Sequence, residues 1–325
     1  LLAERGFDGF YGGETGAKLV AGVNAEGGEW TAADLAAYRV VERTPIRFRY
    51  HDWEVVTAPP PSSGGIAMAQ MLQILEPYDL PRLDDAARTH LVVESMRRAF
   101  RDRTFYLGDP DFVQIPQKVL TSKDYAQGLR ATIHPEKATP SDLLSGNPTP
   151  LEDDETTHFS IIDAEGNRVG ATQTVNLLYG SGLVAPGTGV LLNNEMDDFS
   201  AKPGVPNAFG LVGGDANAVQ ASKRPLSSMT PTIVLKDGET WLVTGSPGGA
   251  RIITTVLQVV MNMIDHGMNV AEASTAPRVH HQWLPDRVFM EPRALSPDTL
   301  RLLTGMGYTV GIDPNWTIWG EAAGI

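Results

Sequence analysis

Two neighbouring threonine-bearing segments contain the residue types best suited to nucleophilic chemistry. Residues 156–167 read as a strand followed by a glycine-containing turn, and residues 168–176 read as a second strand, a pattern that predicts a hairpin. If the turn centres on Glu165, Thr156 faces Thr174 across the ladder, with Cβ atoms about 5 Å apart. Asn176 then shares the face of Thr174, because side chains alternate along a strand. Threonine is common in strands, so an ordinary structural role remains an alternative for this polar cluster.

A threonine can act as a nucleophile without a histidine or aspartate partner if its own α-amine is free. A peptide nitrogen is not basic, whereas a terminal amine has a pKa of about 7.7–8 and can accept the hydroxyl proton. The chain would therefore have to be cut before Thr156. Residues 137–155 are rich in Pro, Ser, Asn and Gly and end in an acidic run, so we expect a solvated, mobile linker with the cut between Glu155 and Thr156. A plain acidic loop is the alternative.

A glycine-rich turn at residues 245–249 joins a predicted strand to a predicted buried helix. Glycines let backbone N–H groups approach a ligand closely, and a helix N-terminus favours negative charge. The turn therefore suits an oxyanion hole built from Gly248 and Gly249, in which each donor lowers a barrier by about 3–4 kcal/mol. A phosphate loop would need a Gly-Lys-Ser/Thr ending, which is absent. A tight turn with no catalytic role is the alternative.

An acidic string and three histidines suggest further sites. Residues 194–198 place Glu195 and Asp198 in a string with three carboxylates, which cannot all turn inward without a counter-charge. A metal site, a solvated loop and a clamp for an ammonium group are the three interpretations. For His158, His280 and His281 we expect packing or surface roles, because the threonine mechanism needs no imidazole.

Hydrophobic periodicity predicts the elements that must position these residues. Helices are expected at 84–105, at 251–265, where an apolar surface on nearly all sides indicates burial, and from a Ser-Pro start at 296–297 to the glycines at 305–307. In the first helix the apolar residues share one face, and Arg97, Arg98, Arg101 and Arg103 point largely elsewhere. Strands are expected at 53–58, 159–162, 169–175, 232–235 and 240–244.

Composition excludes several classes of function. The 325 residues contain 26 basic and 39 acidic side chains, a formal charge of −13, so nucleic acid and anionic membranes are poor partners. The absence of cysteine removes disulfides, thiolate nucleophiles and cysteine zinc sites. The longest strongly apolar stretch, 252–264, is too short for a membrane span and is interrupted by polar residues. Because the chain starts at Leu1 rather than Met, we read it as a fragment or processed piece.

Seven collinear motifs together resemble the gamma-glutamyltransferase (gamma-glutamyltranspeptidase) family. They are Pro-Pro-Pro-Ser-Ser-Gly-Gly at 59–65, Tyr-Leu-Gly-Asp-Pro at 106–110, Thr-Thr-His-Phe-Ser-Ile-Ile-Asp at 156–163, Gln-Thr-Val-Asn at 173–176, Leu-Leu-Asn-Asn-Glu-Met-Asp-Asp-Phe at 191–199, Lys-Arg-Pro-Leu-Ser-Ser-Met at 223–229 and Gly-Ser-Pro-Gly-Gly at 245–249. Each string alone is weak, but their common order over essentially the whole chain makes the resemblance specific.

The resemblance implies an α+β fold, the four-layer αββα sandwich of N-terminal-nucleophile hydrolases, with two stacked antiparallel sheets between helical layers. It also implies a precursor that cleaves itself between Glu155 and Thr156. Residues 1–155 would then be the end of a large subunit and residues 156–325 a small subunit that begins with the nucleophile. The two would remain one intertwined structural domain.

The same resemblance implies roles for individual residues. Thr156 would attack a gamma-glutamyl amide such as that of glutathione, with Thr174 aiming its hydroxyl and Gly248 and Gly249 holding the oxyanion. The resulting gamma-glutamyl ester would pass to water or to an amino-acid or peptide acceptor. The remaining implied roles are the substrate α-ammonium for Asn176, Glu195 and Asp198, the α-carboxylate for Ser227 and Ser228, and a lid for Phe209, where many bacterial members carry tyrosine.

The resemblance implies no metal and no cofactor, and a periplasmic or secreted location. The family's arginine for the substrate carboxylate lies upstream of this chain, and none of Arg97, Arg98, Arg101 and Arg103 fits its motif.

A cephalosporin or glutaryl acylase of the same branch is the enzymatic alternative. Asp198 speaks against it, because a carboxylate facing an uncharged acyl chain would be desolvated without compensation. A catalytically silent scaffold or fragment is the third reading.

Overall fold

The chain divides into two units, one of residues 1–44 with 175–195 and one of residues 45–174 with 196–325. The structure is a computed structural model that describes residues 1–144, 156–312 and 321–325. The first unit contains the helices α1 (Leu2–Arg5), α2 (Asp8–Tyr11), α3 (Gly13–Ala25) and α4 (Ala32–Ala37). Leu19 of α3, Leu35 of α4 and Ala185 form its small apolar core.

The second unit contains the sheets and the longer helices. Its strands are β1 (Ile46–Tyr50), β2 (Trp53–Thr57), β3 (Thr156–Ile162), β4 (Arg168–Thr174), β5 (Thr232–Lys236), β6 (Glu239–Gly245), β7 (Val279–His280), β8 (Val288–Met290), β9 (Val310–Ile312) and β10 (Ala323–Gly324). Its helices are α5 (Gly64–Leu75), α6 (Asp85–Tyr106), α7 (Gln117–Leu120), α8 (Lys123–Arg130), α9 (Arg251–Ile264), α10 (Val270–Thr275) and α11 (Pro297–Gly305).

An antiparallel five-stranded sheet in the order β1-β2-β5-β6-β10 forms the centre of the second unit. Strands β5 and β6 are joined through Asp237 and Gly238, both with positive φ, which is the turn chemistry that a two-residue hairpin needs. The hairpin β3-β4 packs against β6 on one face of this sheet, and α5 and α9 pack on strands of the sheet. Helix α6 packs on α5.

The predicted α+β class with stacked antiparallel sheets and helical layers is confirmed. All three predicted helices and all five predicted strands are present, to within a few residues at their ends. Helix α5, whose 12 residues are all buried, was not predicted. A third sheet, β7-β8-β9, contains a parallel pair of strands and was not predicted either.

Two features of polar segments were not predicted from the sequence. Three of the five arginines of α6, Arg97, Arg98 and Arg103, are almost completely buried, because polar partners surround their guanidinium groups. The expected mobile linker is also anchored at its start: Ser141 is 1% exposed and donates through Oγ to the Trp283 carbonyl at 2.6 Å. The rest of that linker, from residue 145 to Glu155, lies outside the described residues.

Candidate functional site

The hairpin β3-β4 brings the two predicted threonine side chains together. Thr156 lies directly opposite Thr174 in the ladder, which confirms the predicted register. The Thr156 hydroxyl donates to the Thr174 hydroxyl, with 3.2 Å between the oxygens. Both residues are half-buried at the start of β3 and the end of β4, so this arrangement can hold one hydroxyl in a fixed direction while leaving it accessible.

His158 joins this hairpin to the strand that leads into the glycine turn. Its Nδ1 lies 2.7 Å from Thr172 Oγ1 and its Nε2 lies 3.1 Å from Ser160 Oγ. Burial lowers the pKa of His158 to about 4, so the ring is neutral at pH 7. A Cβ on Gly245 would lie 2.1 Å from His158 Nδ1, so the ring occupies the space that a side chain at 245 would need. His158 therefore has the packing role that was expected.

The glycine turn leads directly from β6 into α9. Gly248 and Gly249 have φ values of 117° and 47°, a region that residues with a side chain rarely adopt. Their carbonyl groups accept the first amides of α9, from Arg251 at 2.9 Å and Ile252 at 3.1 Å. Neither glycine N–H donates to another residue in the part of the chain that the structure describes. Two amides next to a helix N-terminus are therefore available to stabilise an oxyanion.

Two of the sequence motifs pair with each other beside a buried arginine. The Ser227 amide donates to the Pro61 carbonyl at 2.9 Å, and the Ser63 amide donates to the Ser227 carbonyl at 2.8 Å. Arg103 of α6 donates through Nε to Ser63 Oγ at 3.0 Å and through Nη2 to Ser228 Oγ at 3.4 Å. Sequence reasoning left Arg103 without a role, and no local signal in the sequence indicates this contact.

Asp198 contributes a negative charge to the surroundings of Arg103. Burial lowers the pKa of the Arg103 guanidinium to about 10, and the Asp198 carboxylate opposes that shift. The Asn217 side chain donates to the Asp198 carbonyl at 2.6 Å, which fixes the backbone of Asp198. Ser228, Asp198 and Arg103 thus place a hydroxyl, an anion and a cation in one region of the second unit.

Asn176 and Glu195 belong to the first unit, where neighbouring segments hold them. Asn176 is buried and donates through Nδ2 to the Asn194 carbonyl at 3.2 Å, directly before Glu195. The Asn194 side chain in turn accepts the Leu177 amide at 3.0 Å. Burial raises the pKa of Glu195. A carboxylate that is costly to bury without compensation favours a cationic partner.

Phe209 is buried in a loop of the second unit, and Gln282 donates to its carbonyl at 3.0 Å. His280 and His281 are fully buried, and burial lowers their pKa values to about 3 and about 4.

Within the described ranges no group of three or more His, Asp or Glu side chains is placed to hold a metal ion. No helix in those same ranges is long and apolar enough to cross a bilayer.

Comparison with known proteins gives matches along the whole chain. A family model described as gamma-glutamyltranspeptidase matches residues 1–323. The glutathione hydrolase proenzyme of Escherichia coli is 53% identical over 315 residues, which cover 96% of this chain and 54% of that protein. The chain thus spans about half the length of the curated relatives it matches.

Two solved structures also resemble this chain. A mutant of the gamma-glutamyltranspeptidase of Helicobacter pylori is 56% identical with a TM-score of 0.50, over 52% of this chain and 89% of that one. The cephalosporin acylase of Bacillus halodurans is 27% identical with a TM-score of 0.84, over 99% of this chain and 56% of that one.

Proposed function

Because this chain belongs to the gamma-glutamyltranspeptidase family, we propose that it carries the catalytic threonine of a glutathione hydrolase and gamma-glutamyltransferase. One observation carries the proposal: the Thr156 and Thr174 hydroxyls lie 3.2 Å apart. They lie at the end of a hairpin that packs on β6. Strand β6 leads into the glycine turn, so the fold supports a nucleophile and an oxyanion site on neighbouring elements.

The proposed reaction begins with cleavage of the precursor between Glu155 and Thr156, which produces the large and small subunits and frees the Thr156 amine. That amine accepts the hydroxyl proton while the Thr156 oxygen attacks the γ-carbonyl carbon of the donor. The amides of Gly248 and Gly249 stabilise the oxyanion. The C–N bond then breaks, the leaving amine takes the proton, and a gamma-glutamyl ester remains on Thr156.

The second half of the reaction passes the gamma-glutamyl group on. Water releases glutamate, and the amine of an amino acid or peptide forms a new gamma-glutamyl amide. In both cases the attacking group loses a proton to the Thr156 amine as the ester bond breaks, and the Thr156 hydroxyl is restored. No step in this scheme requires a cofactor or a metal.

The donor's two α-substituents need opposite charges around them. We assign its carboxylate to the hydroxyls of Ser227 and Ser228, and the buried Arg103 cation behind Ser228 supports that assignment. We assign its ammonium to the Asp198 carboxylate. A periplasmic or secreted location is part of the same proposal and rests on the family resemblance.

The test of the proposal is a denaturing gel of the intact protein with N-terminal sequencing. We expect two bands, one of which begins Thr-Thr-His-Phe, and turnover of a gamma-glutamyl anilide. The Thr156→Ala variant should remain one band and be inactive, because it has neither the nucleophile nor the attacking group for self-cleavage.

The matched control is Thr157→Ala, since Thr157 is exposed and lies opposite Gln173 on the other face of the hairpin. It should process and react as the wild type does. Processing in the Thr156→Ala variant would contradict the assigned nucleophile. Faster turnover of a glutaryl anilide than of the gamma-glutamyl anilide would favour the acylase alternative.

A further inference from the structure

The loop that carries Phe209, residues 207–211, is held by side chains from different segments of the second unit. Asp197 accepts the amide of residue 208 at 3.1 Å. The Asn207 side chain accepts the amides of Phe209 and Leu211 at 3.0 and 3.1 Å. The third tie comes from a distant segment: Gln282 Nε2 donates to the Phe209 carbonyl at 3.0 Å.

Gln282 continues into a chain of buried hydrogen bonds that ends on α9. Its Oε1 lies 2.8 Å from His280 Nε2, and His280 Nδ1 lies 2.8 Å from Thr254 Oγ1. Gln282 is 4% exposed, and His280 and Thr254 are completely buried. Thr254 lies in the first turn of α9, whose first residues follow the glycine turn. The chain therefore connects the Phe209 loop with the helix that the glycine turn opens.

The direction of each hydrogen bond in this chain follows from its neighbours. The Gln282 amide donates to Phe209, so its oxygen faces His280 and must accept from Nε2–H. Burial keeps the His280 ring neutral at pH 7, so Nδ1 carries no proton and accepts from the Thr254 hydroxyl. That contact, 2.8 Å, is shorter than the 3.1 Å from Thr254 Oγ1 to the Arg251 carbonyl. Each of the three hydrogen bonds in the chain thus has one donor and one acceptor.

We infer that Gln282 is a positioning residue that fixes the Phe209 loop to α9, and so sets how the gamma-glutamyl ester is divided between water and an amine acceptor. Phenylalanine has no hydroxyl, and here the loop is tied through its backbone carbonyl. The part of this inference that concerns the division of the ester rests on the proposed function. The loop lies beside the proposed substrate region, because Asp197, which accepts the amide of residue 208, directly precedes Asp198. A loop that is held there excludes water from the ester, whereas a loosened loop admits it.

The test replaces Gln282 with methionine, which has a similar volume but cannot make either hydrogen bond. Losing one buried hydrogen bond is worth roughly a factor of ten in a local opening equilibrium. We therefore expect amide hydrogen exchange at residues 208–211 to become about tenfold faster in Gln282→Met than in the wild type. The ratio of hydrolysis to transfer, measured with a gamma-glutamyl anilide and an amino-acid acceptor, should rise several-fold.

Gln258→Met provides a matched control. Gln258 Nε2 donates to the Thr254 and Val279 carbonyls, both at 2.8 Å, and its Oε1 accepts the Val279 amide at 3.0 Å. It thus joins α9 to β7 without touching the Phe209 loop. This variant should lose comparable stability and keep wild-type exchange at 208–211 and a wild-type product ratio.

Unchanged loop exchange in Gln282→Met, or an equal increase in Gln258→Met, would overturn the positioning role. Faster loop exchange with an unchanged product ratio would overturn the part that concerns the reaction. If the wild type turns over no gamma-glutamyl donor, the proposed function fails, while the exchange comparison still decides whether Gln282 holds the loop.

Discussion

Arg103 is a single buried charge beside the proposed site for the substrate carboxylate. A guanidinium that is 3% exposed is costly to bury unless its surroundings compensate it. Its two hydrogen-bond contacts on the serine motifs are neutral hydroxyls, and Asp198 is the carboxylate that opposes the loss of its proton. Because Arg103 donates to Ser228 Oγ, the Ser228 hydroxyl keeps its own proton for another acceptor. A substrate carboxylate would fit both the hydroxyl donor and the cation behind it.

Replacing Arg103 with methionine tests this arrangement at the level of one residue. Hydrogen bonds to charged groups contribute about 1.5–3 kcal/mol each, so we expect KM for a gamma-glutamyl anilide to rise about 10- to 100-fold. Arg103→Lys should recover part of this loss because it keeps the charge.

Arg101→Met is the control for Arg103. Arg101 lies on the same helix, its side chain is 31% exposed, and it pairs with Asp102. It should leave KM unchanged. A KM for Arg103→Met equal to that of the wild type, in a folded and processed protein, would remove Arg103 from the substrate region.

At the scale of elements, the hairpin β3-β4 and the strand β6 are held at a fixed spacing by His158. The ring fills the space above Gly245, and Ser160 Oγ donates to the Val243 carbonyl at 3.3 Å. Thr156 lies about 7 Å from His158 along β3, given the rise of about 3.3 Å per strand residue. The spacing that His158 sets therefore also affects the distance from Thr156 to the glycine turn.

Gly245→Ala should disturb this spacing. A Cβ would lie 2.1 and 2.2 Å from two atoms of the His158 ring, so the hairpin must shift, and we expect a loss of about 1–3 kcal/mol of stability together with much of the activity. The melting temperature and the turnover of a gamma-glutamyl anilide measure these effects.

Two further variants separate a steric cause from a general one. Combining Gly245→Ala with His158→Ala removes the obstructing ring and should restore part of the activity. Gly128→Ala, in α8, adds a Cβ that meets nothing within 4 Å and should be neutral or stabilising by up to about 1 kcal/mol. No recovery in the double variant would show that the contact with His158 does not cause the loss.

The same elements show what the sequence could predict and what it could not. The hairpin register follows from one local turn, so Thr156 and Thr174 could be paired across only 18 residues. The contact between Arg103 and Ser228 joins residues 125 apart, and no periodicity specifies it. The burial of three α6 arginines was not predicted, because helical periodicity reports charge but not the partners that other segments bring. Motif resemblance indicated that residues 59–65 and 223–229 matter, but not that they pair.

At the scale of the whole molecule, a buried ion network in the second unit joins segments on both sides of the proposed cut. The Glu94 carboxylate accepts from Arg98 Nη1 and Thr139 Oγ1, each at 2.5 Å, and from Tyr308 Oη at 3.0 Å. Arg97 Nε contacts the same carboxylate at 3.3 Å. Thr139 precedes the proposed cut and Tyr308 follows it, so Glu94 contacts segments of both proposed subunits.

Burial alone would raise the pKa of the Glu94 carboxyl, but Arg97, Arg98 and Thr139 together lower it below its ordinary value of 4.5. A carboxyl with a lowered folded-state pKa stabilises the fold above its ordinary pKa, and this contribution is lost as the pH falls further. Stability measured by denaturant unfolding should therefore decrease below about pH 4.5.

Glu94→Gln should be strongly destabilising, because it leaves Arg97 and Arg98 buried with their shared carboxylate removed. Breaking a buried ion pair in this way costs about 3–5 kcal/mol, and the variant should also lose part of the acid dependence. Asp298→Asn is the control, since Asp298 and Arg301 form a pair whose side chains are 87% and 73% exposed. An exposed pair contributes about 0–1 kcal/mol, so this variant should unfold as the wild type does. Equal unfolding free energies for Glu94→Gln and Asp298→Asn would show that the network does not hold the two segments.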